Sequence, residues 1–496
     1  MLVLIAAAGA SGCLWRLFPE PYAVNTPVLH FLLGTSAGAP DAEALEQRIR
    51  VPEGFAVAVY ADGLARPRFL GFTPAGDLLV SQPNDGRILL LERDANGDGR
   101  ADGERVLLDG LAWPHGFDVH DGWLYVAQSE SLVRIRFDAE GGEVHGPLET
   151  LAPLPEGVGH WYRNVRIGPD GRAYVTVGSS CNVCEEEDPR HATMLRFALD
   201  GSEEETVARG LRNAEGFDWQ PVSGEIYATE AGRDFLGDDF PPEELNRIVP
   251  GGFYGWPYAN GENVPDPDFG EGNEAVIATA LLPAHQFPAH TTPLGITFLR
   301  DSSWPEDYRH AALVALHGSW NRNRKQGYEV VSLHWKEDGR IEERAFLSGF
   351  LREDDVIGRP VDVAEGPDGA AYVSDDHAGA IYRVYPGEGE GALRIASGPP
   401  SAAPAAVDPL AGLSERERRA LVEEGAALFM QWECARCHDP ERRAPGVVTL
   451  PLSNLAARWN VDGLEAFLAR PRPPMPTFPL GEPERRALAV YLLAER

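Results

Sequence analysis

VRIGPDGRAYVTVG, running from Val165 to Gly178, is an apolar strand, a four-residue turn and a second apolar strand. Gly168-Pro169-Asp170-Gly171 is turn chemistry: proline presets its own φ, aspartate bonds its own backbone, and glycine accepts a positive φ. Two strands so joined are antiparallel neighbours. The unit recurs as LGFTPAGDLLVSQ from Leu70, GFDVHDGWLYVAQ from Gly116 and GFDWQPVSGEIYATE from Gly216. GITFLRDSSWPEDYRHAALVALHG from Gly295, with a longer turn, and VDVAEGPDGAAYVSDD from Val361 complete six copies within residues 51–386. Each is followed by a further strand rich in Arg, Leu and Ile. Units of this size cannot bury both faces alone, and stacking them radially covers their edges. The expected fold is therefore a six-bladed β-propeller, with a strand at Phe55–Tyr60 supplying the outer strand of the last blade. A pair of β-sandwiches would leave the repeated turn unexplained.

Spacing between the units widens over Arg233–Ala284, an Asp-, Pro- and Gly-rich insertion of the kind that builds a binding face on a rigid scaffold. Residues 387–412 are Gly-, Pro- and Ala-rich and read as a flexible linker. Beyond them, residues 413–496 carry Cys434-Ala-Arg-Cys437-His438, the spacing that attaches a c-type haem through two thioethers and a proximal histidine. A zinc pair would need a second set of ligands that does not follow. Ser414 and Glu417 form a capping box for a helix leading into the motif, and Pro483–Glu495 reads as a closing helix. Met475, in a proline-rich loop, is the expected sixth iron ligand, whereas Met430 reads as a core residue of the helix before Cys434. His/Met ligation leaves no open iron position, so this small all-α cytochrome c domain is expected to pass electrons. The segment resembles a monohaem cytochrome c domain along its whole length.

A formal charge of −32 argues against nucleic acid or an anionic membrane surface as partner. Residues 1–50 read as a leader and tether. Met1–Ala10 is a short apolar run, and the small residues before Cys13 suggest either lipidation of that cysteine, as in a bacterial lipoprotein, or an ordinary signal peptide. Either route, like covalent haem attachment, implies a periplasmic or other extracytoplasmic location.

Further motifs lie on the propeller. They are Gly159-His160 before the blade-three turn, Leu211-Arg212-Asn213 before Gly216-Phe217, GFYGWP from Gly252, SCNVC from Ser180 and HGSWNR from His317. Together they resemble the soluble quinoprotein sugar dehydrogenases, the aldose sugar, glucose and L-sorbosone enzymes that use pyrroloquinoline quinone (PQQ), with the last two motifs nearest the sorbosone type. That resemblance implies that His160 is the general base, taking a substrate hydroxyl proton as hydride passes to the quinone. An imidazole neutral near pH 7 suits the task. It also implies that Arg212, Asn213 and Arg359 bind the quinone, since a planar guanidinium bridges carboxylate and carbonyl oxygens. Val361 stands where glucose-oxidising relatives have a second arginine, which leaves Arg322 or Lys325 as the candidate replacement cation. The resemblance further places a calcium at the backbone carbonyls of Gly232 and Arg233.

Two features are open on the residues alone. Asp94, Asn96, Asp98 and Asp102 in DANGDGRAD alternate like a calcium loop, but Arg105 replaces the bidentate glutamate, so a structural calcium and a plain hairpin turn are equally consistent. Cys181 and Cys184 form a CxxC followed by Glu185, so they bind no second haem; a disulfide bracing the loop is the first reading, with redox activity or metal binding the others. The chain as a whole reads as an exported quinohaemoprotein that oxidises a sugar or related alcohol and delivers electrons to its haem and then to an external acceptor. The rival is a non-catalytic binding propeller tethered to a cytochrome. A metal-dependent lactonase-type propeller would give no reason for a haem. Convergence of His160, Arg212, Asn213 and Arg359 at one channel end separates the first reading from the others.

Overall fold

The computed structural model describes residues 23–25, 37–157, 159–387, 413–438, 461–469 and 478–495, together with Leu410, Leu452, Leu455, Pro471 and Met475. Cys13 and the leader, residues 388–409 of the expected linker, Pro473, Pro474 and Pro476 lie outside the described residues, as does the Cys437 side chain. The chain divides into two compact units, 1–398 and 399–496.

The first unit is the six-bladed propeller. Blade one is Leu70–Phe72, Leu78–Gln82, Arg87–Glu92 and Gly103–Leu108; blade two is Phe117–His120, Trp123–Gln128, Ser131–Asp138 and Glu143–Pro153. Arg163–Ile167, Ala173–Val177, Thr193–Phe197 and Glu205–Arg209 make blade three, and Phe217–Trp219, Ile226–Glu230, Glu243–Ile248 and His285–Phe287 make blade four. Blade five is Pro293–Phe298, Ala312–Leu316, Glu329–Trp335 and Ile341–Leu347. Blade six takes Pro360–Glu365, Ala371–Asp375 and Ala380–Pro386 from the end of the unit and its outermost strand, Phe55–Ala61, from the beginning. That antiparallel pairing closes the ring as the sequence predicts.

The repeated turn has a physical basis. In blade three Gly171 has φ +71° and Tyr174 Oη donates to Asp170 Oδ2 at 3.0 Å. Blade six repeats this with Gly369 at φ +70° and Tyr372 Oη on Asp368 Oδ2, also 3.0 Å. The tyrosine at the start of the second strand thus reaches back to lock the turn that precedes it. Six buried apolar clusters lie one at each seam between neighbouring blades. Phe55 and Val57 of the closing strand are 2% and 1% exposed, burial that contributes roughly 1.5–3 kcal/mol per side chain. Nearer the axis, inner strands are stitched by aspartates: Ile167 N–H donates to Asp118, Phe298 N–H to Asp218 and Leu70 N–H to Asp362.

Two local expectations are corrected. Residues 42–48 are not tether but a helix, Ala42–Arg48, capped by Asp41. Its Leu45, with the following Ile49, is buried in the blade five–six seam, because apolar residues spaced by four fall on one helix face. The insertion is also less independent than its composition suggests, since Gly252–Phe253 pairs in parallel with Ala208 and Arg209 at the edge of blade three.

The second unit holds helices Glu415–Gln431, Ala435–His438, Val461–Ala469 and Glu482–Glu495. Ser414 and Glu417 form the expected capping box. Leu428, Phe429, Leu464, Leu468, Leu488, Val490 and Leu492 build one core, with Trp432, Cys434, Met475 and Phe478 packed partly buried against it. Met430 is 69% exposed and so is not the core residue the sequence suggested; Leu428 and Phe429 take the inward face.

Candidate functional site

The architecture gathers the site. His160, Arg212, Asn213 and Arg359 precede the inner strands of blades three, four and six, while Ser179, Ala231, His317 and Asp376 follow second strands. Inner and second strands are antiparallel, so both sets emerge at the same end of the propeller. His160, Arg212, Asn213 and Arg359 therefore stand at one end of the propeller.

His160 is half-buried, with Nδ1 3.1 Å from the Ser179 carbonyl and 3.0 Å from Ser179 Oγ. That hydroxyl donates its own proton to the Cys181 carbonyl at 2.7 Å. Both neighbours of Nδ1 are therefore acceptors, which puts the hydrogen on Nδ1 and the lone pair on Nε2. Burial first, and then the Arg212 charge, push the imidazole down to about 3. It is neutral at pH 7 and presents an unprotonated nitrogen. Gly178 makes the close approach possible: a Cβ there would lie 2.6 Å from His160 Cβ and 2.9 Å from Asn213 Oδ1.

Arg212 is 3% exposed. Its Nε donates to the Asn182 carbonyl at 2.9 Å and Nη1 to the Ala231 carbonyl at 3.0 Å, while Nη2 reaches Asn182 Oδ1 at 2.8 Å and Asp234 Oδ2 at 3.0 Å. Four of five N–H donors are held by protein, and one on Nη1 has no partner among the described residues. Asn213 Nδ2 donates weakly to Glu215 at 3.4 Å, while its buried Oδ1 has no partner among the described residues. Cys181 and Cys184 form a disulfide on either side of Asn182 and Val183, in agreement with the first reading of the CxxC.

A polar chain links Arg359 to the partner of Asn213. Arg359 Nη2 donates to His317 Nδ1 at 3.1 Å, and His317 Nε2 donates to Asp376 Oδ1 at 3.0 Å. Asp376 Oδ2 accepts from Arg68 Nη1 at 3.1 Å, and Arg68 Nη2 donates to Glu215 at 3.0 Å. Burial and the Arg359 charge depress the His317 imidazole to about 3. The pairing with His317 and Arg68 outweighs burial and holds the Asp376 carboxyl well below the usual range. Arg68 also lies 4.5 Å from the ring centre of Tyr162, which stacks on His115.

Arg68, Asp376 and the Asn182 clamp are residues that sequence reasoning missed. Phe69 and Asp362 each donate a backbone N–H to the Ser81 or Ser374 hydroxyl of their own blade, which makes the preceding residues, Arg68 and Val361, repeat equivalents. Val361 is buried at 1% exposure. At the equivalent position of blade one stands Arg68, whose guanidinium is paired with Asp376 and Glu215. Only a blade-by-blade superposition of the repeats could have found it.

The other candidates are placed elsewhere. Arg322 pairs with the Asp238 carbonyl and, at 2.9 Å, with Asp239 on the blade-four insertion. Lys325 donates to the Asp354 carbonyl at 2.8 Å. Neither joins the Arg212–Arg359 group. The Arg233 side chain grips Asp266 and Asp268, and Gly232 N–H donates to buried Glu243; among the described residues no donor reaches either carbonyl. In DANGDGRAD the oxygens face their own loop: Asp94 accepts from the N–H groups of Gly97, Asp98 and Gly99, Asn96 from that of Asp98, and Asp102 from that of Ala95. In the second unit, His438 N–H donates to the Cys434 carbonyl at 3.1 Å.

The fold is shared with solved structures of sugar-oxidising propellers. One titled as the holo form of the pyranose dehydrogenase PQQ domain from Coprinopsis cinerea is 23% identical, covers 71% of this chain and 99% of that one, and superposes with a TM-score of 0.60. In sequence, a PQQ-dependent pyranose dehydrogenase of the same fungus is 24% identical over 71% of this chain, which spans 56% of that relative's length. An uncharacterized protein of Borreliella burgdorferi is 30% identical over 69% of this chain and 92% of its own length. Residues 41–385 match the family described as a domain of unknown function, DUF7133, and the chain belongs to that family.

Proposed function

We propose that the propeller binds PQQ at this channel end and oxidises a sugar or related alcohol, and that the second unit carries a covalent haem that receives the electrons. The observation that carries the reading is a set of open polar groups beside a neutral base. The spare Arg212 N–H, the Arg359 Nη1 group and Asn213 Oδ1 have no partner among the described residues, and His160 Nε2 offers its lone pair at the same end. A planar, anionic, carbonyl-rich cofactor fits that donor set. The Gly232 and Arg233 carbonyls, free of donors, suit a calcium ion.

When bound, PQQ supplies a two-electron acceptor and haem c a one-electron acceptor; the chain's own residues do the rest. Arg212 and Arg359 fix the cofactor and oppose its negative charge. His160 Nε2 takes the substrate hydroxyl proton while the two electrons and the carbon-bound hydrogen leave as hydride. Its depressed basicity fits a site completed by an anion, because carboxylates nearby raise an imidazole's pKa. Cys434 and Cys437 would hold the haem and His438 and Met475 its iron. His438, one turn from Cys434, and Met475, in the same apolar cluster, support that assignment. Export and the external acceptor belong to the same proposal and rest on the haem-attachment motif and the amino-terminal residues.

The test is optical. Haem-loaded protein is given calcium, PQQ and a panel of aldoses and sorbosone, and the reduced haem bands are recorded. Reduction that requires both quinone and sugar is the expected result. A haem that stays oxidised, with no quinone binding by calorimetry, would leave a binding propeller attached to a cytochrome.

A further inference from the structure

The disulfide loop does more than brace a turn. Asn182, one residue into the Cys181–Cys184 bridge, meets the Arg212 guanidinium with both of its oxygens, the carbonyl at 2.9 Å and Oδ1 at 2.8 Å. The same Oδ1 accepts the Asp234 backbone N–H at 2.8 Å, and Asn182 Nδ2 donates to the Asp234 carbonyl at 3.1 Å. Asp234 then returns to Arg212 through its carboxylate at 3.0 Å. Trp256 Nε1 also donates to the Asn182 carbonyl, at 3.3 Å, from the far side of the insertion. Asn182 is thus the shared corner of three elements: the loop after the second strand of blade three, the loop before blade four, and the insertion.

We infer that Asn182, held in place by the Cys181–Cys184 bridge, is the positioning residue that aims the spare Arg212 N–H at the cofactor, so that the bridge belongs to the cofactor site. A long arginine side chain has several rotatable bonds, and a single ion pair does not fix its plane. Two acceptors on one residue do, provided that residue is itself immobile. A cross-link spanning two intervening residues immobilises it, and Ser179 and Ser180 tie the same loop to Cys181 and Glu186. The loop also carries the Ser179 oxygens that set the His160 tautomer. One short cross-linked segment therefore orients both the base and the arginine.

The inference rests on the proposed function only in naming the cofactor, so it is tested first on apo-protein. Labelling by phenylglyoxal, followed by mass spectrometry, reports how fast Arg212 becomes accessible. Parent protein with the bridge intact should label slowly at Arg212. Asn182→Ala, which keeps the backbone carbonyl, should label about tenfold faster, and Cys181→Ser/Cys184→Ser faster still, since local opening sets the rate. Asn182→Asp, which keeps the Oδ1 acceptor, should stay near the parent rate. A midpoint of thermal unfolding within a few degrees of parent, measured alongside, separates loosening of the clamp from loss of fold. Calorimetry then asks whether the PQQ dissociation constant rises in the same order. Equal Arg212 labelling in parent, Asn182→Ala and the double serine variant would overturn the positioning role. No PQQ binding by the parent would instead overturn the proposed function and leave the labelling result standing.

Discussion

Two polar regions of the propeller, the channel mouth around Arg212 and the exposed DANGDGRAD loop, look alike in composition and differ in how their hydrogen bonds close. In the loop nearly every side-chain oxygen accepts a nearby backbone N–H, so the segment satisfies itself. At the mouth the groups are buried and held by residues distant in sequence, and a donor of Arg212 and the oxygen of Asn213 have no partner among the described residues. Leaving a buried polar group unpaired costs about 1–3 kcal/mol, and Asn213 Oδ1 is such a group among the described residues; the proposed cofactor would complete it. The loop's oxygens already have backbone partners.

The largest effect that tests this contrast is expected at His160. His160→Ala removes the Nε2 lone pair and should lower sugar-dependent haem reduction about 10²–10⁴-fold, the usual contribution of a general base. The PQQ dissociation constant should change far less, because no cofactor-holding donor is removed. A comparable loss of both, measured by stopped-flow reduction and calorimetry, would make His160 a structural residue. Arg212→Lys should come next. Lysine keeps the charge and loses the planar fork, so about 1.5–3 kcal/mol of cofactor binding should disappear, a change read by calorimetry.

Acid stability sharpens the comparison differently. His160 and His317 are both held neutral down to about 3 in the folded chain, against 6.5 for a free imidazole. Between those values the unfolded chain binds protons that the folded one does not, so stability falls as pH drops from 6.5 toward 3. His317→Gln should flatten that fall in a urea titration of the apo-protein.

Much of this was legible in the sequence, for reasons that differ by residue. The Gly-Pro-Asp-Gly turn and the apolar strand after it announced the blades because their interaction is local: Tyr174 reaches Asp170 four residues back. Phe55–Tyr60 could be assigned to the last blade because a ring needs one strand to close it. His160, Arg212, Asn213 and Arg359 were legible as motif residues, but their partners were not. Arg68 meets Asp376 across 308 residues of chain, and no local pattern encodes that contact. Asn182 stood in plain view between two cysteines, yet its role depends on where the insertion returns. Met430 was misread because apolar character alone does not say which face of a helix turns inward. Arg322 and Lys325 were proposed on charge, and acidic or carbonyl oxygens on neighbouring loops hold them instead.

Those two cations give the next smaller effect. Arg322→Ala breaks an exposed pair with Asp239, and such pairs are worth about 0–1 kcal/mol. Cofactor affinity should therefore stay within about threefold of parent, against the much larger loss at Arg212. A drop at Arg322 as large as that at Arg212 would show that the blade-five loop closes over the cofactor and would extend the mouth to include it.

The smallest effect is expected in the loop itself, and it decides whether the comparison is sound. Asp98 is exposed, and among the described residues its carboxylate accepts only the Arg100 N–H, at 2.9 Å. If the loop is self-satisfied, Asp98→Ala should shift stability by no more than about 0.5 kcal/mol, the range of ordinary surface substitutions. Added calcium should then raise the melting temperature of parent and variant equally, because any ion bound at the Gly232 and Arg233 carbonyls is untouched. A calcium-dependent gain that disappears in Asp98→Ala would mean that the loop oxygens turn outward to a metal when one is offered. Closed hydrogen bonds in the apo chain would then be the resting state of a second ion site, and self-satisfaction would no longer distinguish the loop from the mouth.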